Sequence, residues 1–88
     1  MGNKEFIEIA KEAVVDYYNK GKSKDDMLRS IDNVYIVWLS KTLQNNKALL
    51  STTVNDGMYY EATYNGDTGE LYLDAYSKVE NRVIKLGE

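Results

Sequence analysis

With no cysteine and no histidine, this 88-residue chain can do chemistry only through carboxylates, lysines and tyrosines. The combination with the most to offer is Glu61 and Asp74, set among Tyr59, Tyr72 and Tyr76. If residues 58–64 and 70–76 are strands joined by a four-residue loop at 66–69, Tyr59 faces Tyr76, Glu61 faces Asp74 and Thr63 faces Tyr72. Two carboxylates directly opposed on a sheet repel, so something must neutralise them. The options are a Lys or Arg, a shared proton, a cation or a ligand. Flanking tyrosines would partly desolvate the pair and raise the pKa of one member. Read as a site, this is a binding platform: aromatic rings stack on a flat ligand and carboxylates accept its donor groups. Trp38, on the first strand, is the further candidate for it. Read plainly, it is a solvated sheet face, with Lys78, Lys47 or Arg82 bridging the acids or a register slip separating them.

Catalysis has little else to draw on. The missing residue types exclude disulfides, a thiolate nucleophile, a Cys/His zinc site and an imidazole base. Hydrolysis would need carboxylates and a metal, and no DxD-like or ExxxE-like cluster offers a site. Asn65-Gly66-Asp67-Thr68-Gly69 lacks the acidic ligand and the length of a calcium loop and reads as turn chemistry. Asp25-Asp26 reads as a complement to a helix dipole. A non-enzymatic protein without cofactor or metal is expected. The net charge of −3, with scattered basic residues, argues against non-specific nucleic-acid binding. No apolar run is long enough for a transmembrane helix, and the start lacks the apolar stretch of a signal peptide. Phe6 stands where a myristoylation motif needs Ser or Thr. A cytoplasmic protein that does not engage membranes is the expectation.

The elements that must position these residues are legible from periodicity. Over residues 4–20, Phe6, Ile9, Ala10, Ala13, Val14 and Tyr17 recur at helical spacing, with charged residues opposite. Asn3 is a candidate N-cap, and Gly21 suits the left-handed position after the helix. Residues 22–33 read as either an irregular connector or a short helix, with Ser23 and Asp26 resembling a capping box. From Val34 the period becomes two. Val34 to Leu39 is apolar on both sides, with Trp38 and Ile36 on one face and Tyr35, Val37 and Leu39 on the other. Lys41 to Asn46 turns the chain, Lys47 to Val54 is a second strand, and Asn55-Asp56-Gly57 is a hairpin signal. With three residues in that loop, Val54 faces Met58, Thr52 faces Tyr60 and Leu50 faces Ala62. Together the two hairpins define one buried face: Ala48, Leu50, Thr52, Val54, Met58, Tyr60, Ala62, Tyr64, Leu71, Leu73 and Ala75. Val79, Val83 and Leu86 suggest a short closing helix over 77–86, or else an edge strand over 82–86.

The fold class is therefore α+β: a single domain over 1–88, with an N-terminal amphipathic helix packed on a four-stranded antiparallel β-meander. One helical layer covers one face of a sheet. The apolar residues of the first strand then call for a second cover, either a second subunit in a homodimer or higher homo-oligomer, or the C-terminal segment folding back.

Lys41 to Thr53, Asp56 to Asp67 and Leu71 to Tyr76, with the Phe6-Ile7 helix and Val37-Trp38, resemble a family of small uncharacterised proteins of tailed phages and prophages of Gram-positive bacteria. Residues 22–33 match least. The resemblance carries over no site residue. It implies a phage setting, in which small accessory proteins manage the host. Two functions follow as expectations. One is counter-defence by binding and sequestering a small nucleotide-like signal, with phosphate-binding cations from Lys41, Lys47 or Arg82 at a subunit interface. The alternative, ranked behind it because tyrosines gather on one inferred face, is a protein–protein inhibitor that binds and blocks a host factor.

Overall fold

The protein is described by a computed structural model covering residues 1–87. An α-helix, α1 (Asn3–Asn19), leads through two single 3-10 turns, Lys24–Asp26 and Ile31–Asn33, into four strands. These are β1 (Val34–Thr42), β2 (Asn45–Thr52), β3 (Met58–Asn65) and β4 (Glu70–Ser77), forming one antiparallel meander in the order β1-β2-β3-β4. Phe6, Ala10 and Val14, spaced four apart, are the fully buried stripe of α1. They pack on Val34, Ala48, Leu50, Tyr60 and Ala62, which the alternation of the strands sends to the same side of the sheet. The α+β architecture is as expected. On the expected buried face, Ala48, Leu50, Thr52, Tyr60 and Ala62 are buried and Val54, Met58, Tyr64, Leu71 and Leu73 half-buried, but Ala75, on the edge strand β4, is exposed.

Local chemistry explains where the elements stop. Gly2, not Asn3, is the N-cap, and no side chain caps the helix. Asn3 lies inside the first turn, where its Oδ1 accepts from Asn46 Nδ2 at 3.4 Å. Gly21 takes a positive φ of 78° just after α1, the backbone conformation that stops a helix at little cost for glycine. Beyond it, the connector reading of residues 22–33 holds in place of a helix. Leu28 is clamped instead by Asn19, which accepts from its N–H at 2.7 Å and donates to its carbonyl at 3.0 Å. Ser23 Oγ donates to the Asp26 carboxylate, so no capping box forms on the backbone.

Three expectations are corrected. The β2–β3 connection is five residues, 53–57, not three: β2 ends at Thr52, whose Oγ1 accepts from the Val54 N–H at 3.2 Å as the chain turns. Leu50 therefore faces Tyr60 and Ala48 faces Ala62, a slip of two residues that keeps every side chain on its expected face. In β1 the alternation is broken by a bulge at Val37 between the pairs Ile36–Leu50 and Trp38–Leu49. The extra residue places Val34, Ile36 and Leu39 toward the helix, and Tyr35 and Trp38 on the opposite face. Finally, residues 78–87 form neither a closing helix nor an edge strand. Val79 is 97% exposed there, so the apolar stripe meets no surface that would fix it as a helix.

The β1–β2 hairpin closes on Leu43 and Gln44, with Leu43 at φ 57° and largely in solvent. A bulky residue in that region costs roughly 1 kcal/mol. Leu43→Gly is expected to raise stability by about 0.5–1 kcal/mol, read as a melting temperature a few degrees higher.

Candidate functional site

Because side chains alternate along each strand, the face away from α1 is also assembled by register. Trp38, Leu49, Glu61 and Asp74 form one row across all four strands. Ser40, Lys47, Thr63 and Tyr72 form the next row. On the other side of the first row, Tyr35 pairs with Ser51 and Tyr59 with Tyr76. The β3–β4 pairs are those expected from the four-residue loop. Tyr59, Glu61, Tyr72, Asp74, Tyr76 and Trp38 thus share one surface. Trp38 is there only because of the bulge, and its ring is 41% exposed. Tyr35, on this face beside Ser51, is the aromatic residue that plain alternation placed with Leu39. The β-bulge leaves no composition signal, so only the clash of an all-apolar strand with a one-layer cover hinted at it.

The opposed carboxylates find their neutraliser in Lys47. Its Nζ lies 3.5 Å from Glu61 Oε1, reaching diagonally from the neighbouring row. Arg82 pairs with Glu80 at 3.2 Å instead. Asp74 has no ion-pair partner among the described residues and is exposed. Removing its charge should therefore relieve repulsion and break nothing. Asp74→Asn is expected to stabilise the fold by a few tenths of a kcal/mol up to about 1 kcal/mol. Glu61→Gln relieves the same repulsion but strands Lys47, so its melting temperature should stay near that of the wild type. Tyr72 donates to Glu70 Oε1 at 3.2 Å, and this hydrogen bond, with the charge of Glu70, raises the phenol's pKa.

Two shallow clefts adjoin the sheet. One, of about 290 Å³, lies at the end of the open face, among Tyr35, Ser51, Thr53, Asn55, Tyr59 and Lys78. It combines two rings, hydroxyl and amide groups and one ammonium. The other, of about 320 Å³, lies on the helix side, among Tyr17, Tyr18, Lys20, Lys22, Asp56, Met58 and Tyr60. There Tyr17 meets Tyr60 edge-on with centroids 5.8 Å apart, and Lys22 Nζ sits 4.6 Å from the Tyr18 centroid. Neither cleft was readable from the chain alone, because each joins residues from elements distant in sequence. Burial, and then the charge of Asp56, push the Tyr60 phenol above the usual value of about 10. The neutral phenol is favoured in the folded state, so this stabilisation is complete below pH ~10 and is lost as pH rises through the higher folded value. Tyr60→Phe should flatten that alkaline limb of the stability profile, measured by urea unfolding across pH.

No group of three or more metal-ligating side chains occurs among the described residues. None of their helices is long and apolar enough to cross a membrane. The arrangement can stack, donate and accept hydrogen bonds, and present one unpaired carboxylate.

Comparison with curated proteins and with solved structures found no match. The model of a family of unknown function (DUF6275) matches residues 7–86, and the chain belongs to that family.

Proposed function

We propose that the chain is a non-enzymatic binding protein that works through the open face of its sheet by docking on another protein and blocking it. The observation that carries this reading is the uncovered aromatic surface itself. Trp38, Tyr35, Tyr72 and Tyr76 are exposed around the Glu61–Asp74 pair, with the half-buried Tyr59 beside them. Tryptophan and tyrosine dominate the binding energy of protein interfaces. A small ligand, by contrast, is usually held in a concave site that buries most of its surface. The free carboxylate of Asp74 favours a partner with a Lys or Arg opposite it. The resemblance to small proteins of tailed phages and prophages suggests a host factor as that partner and the host cytoplasm as the place of action.

A second reading, sequestration of a small nucleotide-like signal in counter-defence, is favoured by the cleft at the end of the face. Tyr35 and Tyr59 would stack on a base there and Lys78 would meet a phosphate. Native mass spectrometry of the protein recovered gently from a bacterial host tests both. A stoichiometric host protein supports the inhibitor, and an added mass of several hundred daltons supports the sequestering protein. Recovery of the chain free of both would contradict the proposal.

A further inference from the structure

Residues 78–87 follow β4 as an arm that the domain does not hold. Val79, Val83, Ile84 and Leu86 all stand at least 73% exposed. The chain's radius of gyration is 15.0 Å, against roughly 12 Å for a compact domain of this length. At its root, the Lys78 N–H donates to the Gly57 carbonyl at 2.8 Å, continuing the line of β4. Beyond that bond, residues 79–87 are exposed and form no helix or strand. Its charge also differs from that of the body. Residues 78–88 carry three basic residues and two acidic, whereas residues 1–77 carry eight basic and twelve acidic.

The open face has the complementary chemistry, an exposed aromatic surface with an unpaired Asp74. Its size is informative too. Four strands about 4.8 Å apart and eight residues of about 3.4 Å each give a flat area of roughly 500 Å². A standard interface takes about 800 Å² of accessible surface from each partner, so the face is of the order that a dimer needs and an arm laid on it adds to the area buried.

We infer that a second copy of this chain covers the open face, with each copy laying its 78–87 arm over the Trp38–Asp74 row of its partner. Val79, Val83 and Leu86 are buried against the partner's aromatic surface, and Arg82 or Lys85 meets the partner's Asp74. The inference rests on the open face being a contact surface, as proposed above, and names its occupant in the free protein. A host factor would then compete with the arm.

The test is complementation between two full-length variants, followed by light scattering and analytical ultracentrifugation. Wild type should be a dimer. Trp38→Asp disables the face, and the double substitution Val83→Asp with Leu86→Asp disables the arm. Each variant alone should dissociate ~30-fold or more readily than wild type, with an unchanged far-UV spectrum. Mixed one to one, they should form a heterodimer, because one supplies an intact arm and the other an intact face. A monomeric wild type, a dimer indifferent to the arm substitutions, or a mixture that fails to associate would overturn the inference. A monomer that still binds a host protein through Trp38 would leave the proposed function standing. A dimer that passes complementation but engages no host factor would remove that function alone.

Discussion

Tyr60→Ala is expected to remove a large part of the protein's stability, whereas Tyr59→Ala is expected to leave it nearly unchanged. The two residues are neighbours in β3, but the pleat sends them to opposite faces. The Tyr60 ring is 1% exposed, lies in the core with Phe6, Leu50 and Val14, and meets the edge of Tyr17. Truncating a buried ring of this size costs about 3–5 kcal/mol through lost transfer energy and the cavity left behind. A domain of this length has a total stability of only about 4–13 kcal/mol. Urea unfolding should therefore show a midpoint shifted by a large fraction of its value for Tyr60→Ala. Tyr59→Ala should shift it little, because Tyr59 faces Tyr76 on the open side. Equal losses at the two positions would mean that the open face is not open.

Gly66→Ala is expected to be the most damaging single substitution outside the core. The β3–β4 turn sits directly on the β1–β2 turn. A Cβ at residue 66 would run into the Gln44 carbonyl oxygen, which is backbone and cannot swing aside. Two hydrogen bonds join the same turns: the Gly66 N–H to Asn45 Oδ1 at 3.0 Å, and Gln44 Nε2 to Asp67 Oδ1. Overpacking costs about 1–3 kcal/mol, and each lost hydrogen bond about 1 kcal/mol more. A loss of roughly 2–4 kcal/mol should appear in thermal unfolding. Hydrogen exchange should rise first at residues 43–46 and 65–68. Gly69→Ala is a useful comparison: it meets no atom, so its cost is confined to its positive φ.

These positions also show how far the sequence could be read. The β3–β4 register was legible because Asn65 and the two glycines limit that turn to four residues, and alternation then fixes Glu61 opposite Asp74. The neighbouring hairpin was legible in its faces but not its pairs. Asn55-Asp56-Gly57 marks a turn, yet nothing in those three residues tells that Thr53 and Val54 leave the β2–β3 ladder with them. The bulge at Val37 lies beyond such reasoning, because a run of apolar residues gives no sign of which one is extra. That single residue carries Trp38 to the open face, so the centre of the candidate site depended on a feature without a local signal. The arm misled for the opposite reason. Val79, Val83 and Leu86 have helical spacing, but ten residues without a packing surface do not hold a helix in water. The Lys47–Glu61 pair was among the ways of neutralising the acids, and only the registers of both hairpins together bring Lys47 within reach.

The proposed working surface is the open face, not the helix side. The most direct measurement is quantitative capture of host proteins by three versions of the full-length chain. These are the wild type, Trp38→Asp on the open face, and Glu12→Lys on the exposed side of α1. One partner is expected at near-equal stoichiometry on the wild type and the α1 variant, and is expected to be lost from Trp38→Asp without loss of the folded spectrum. The same partner held equally by Trp38→Asp, or lost only from the α1 variant, would contradict the proposal.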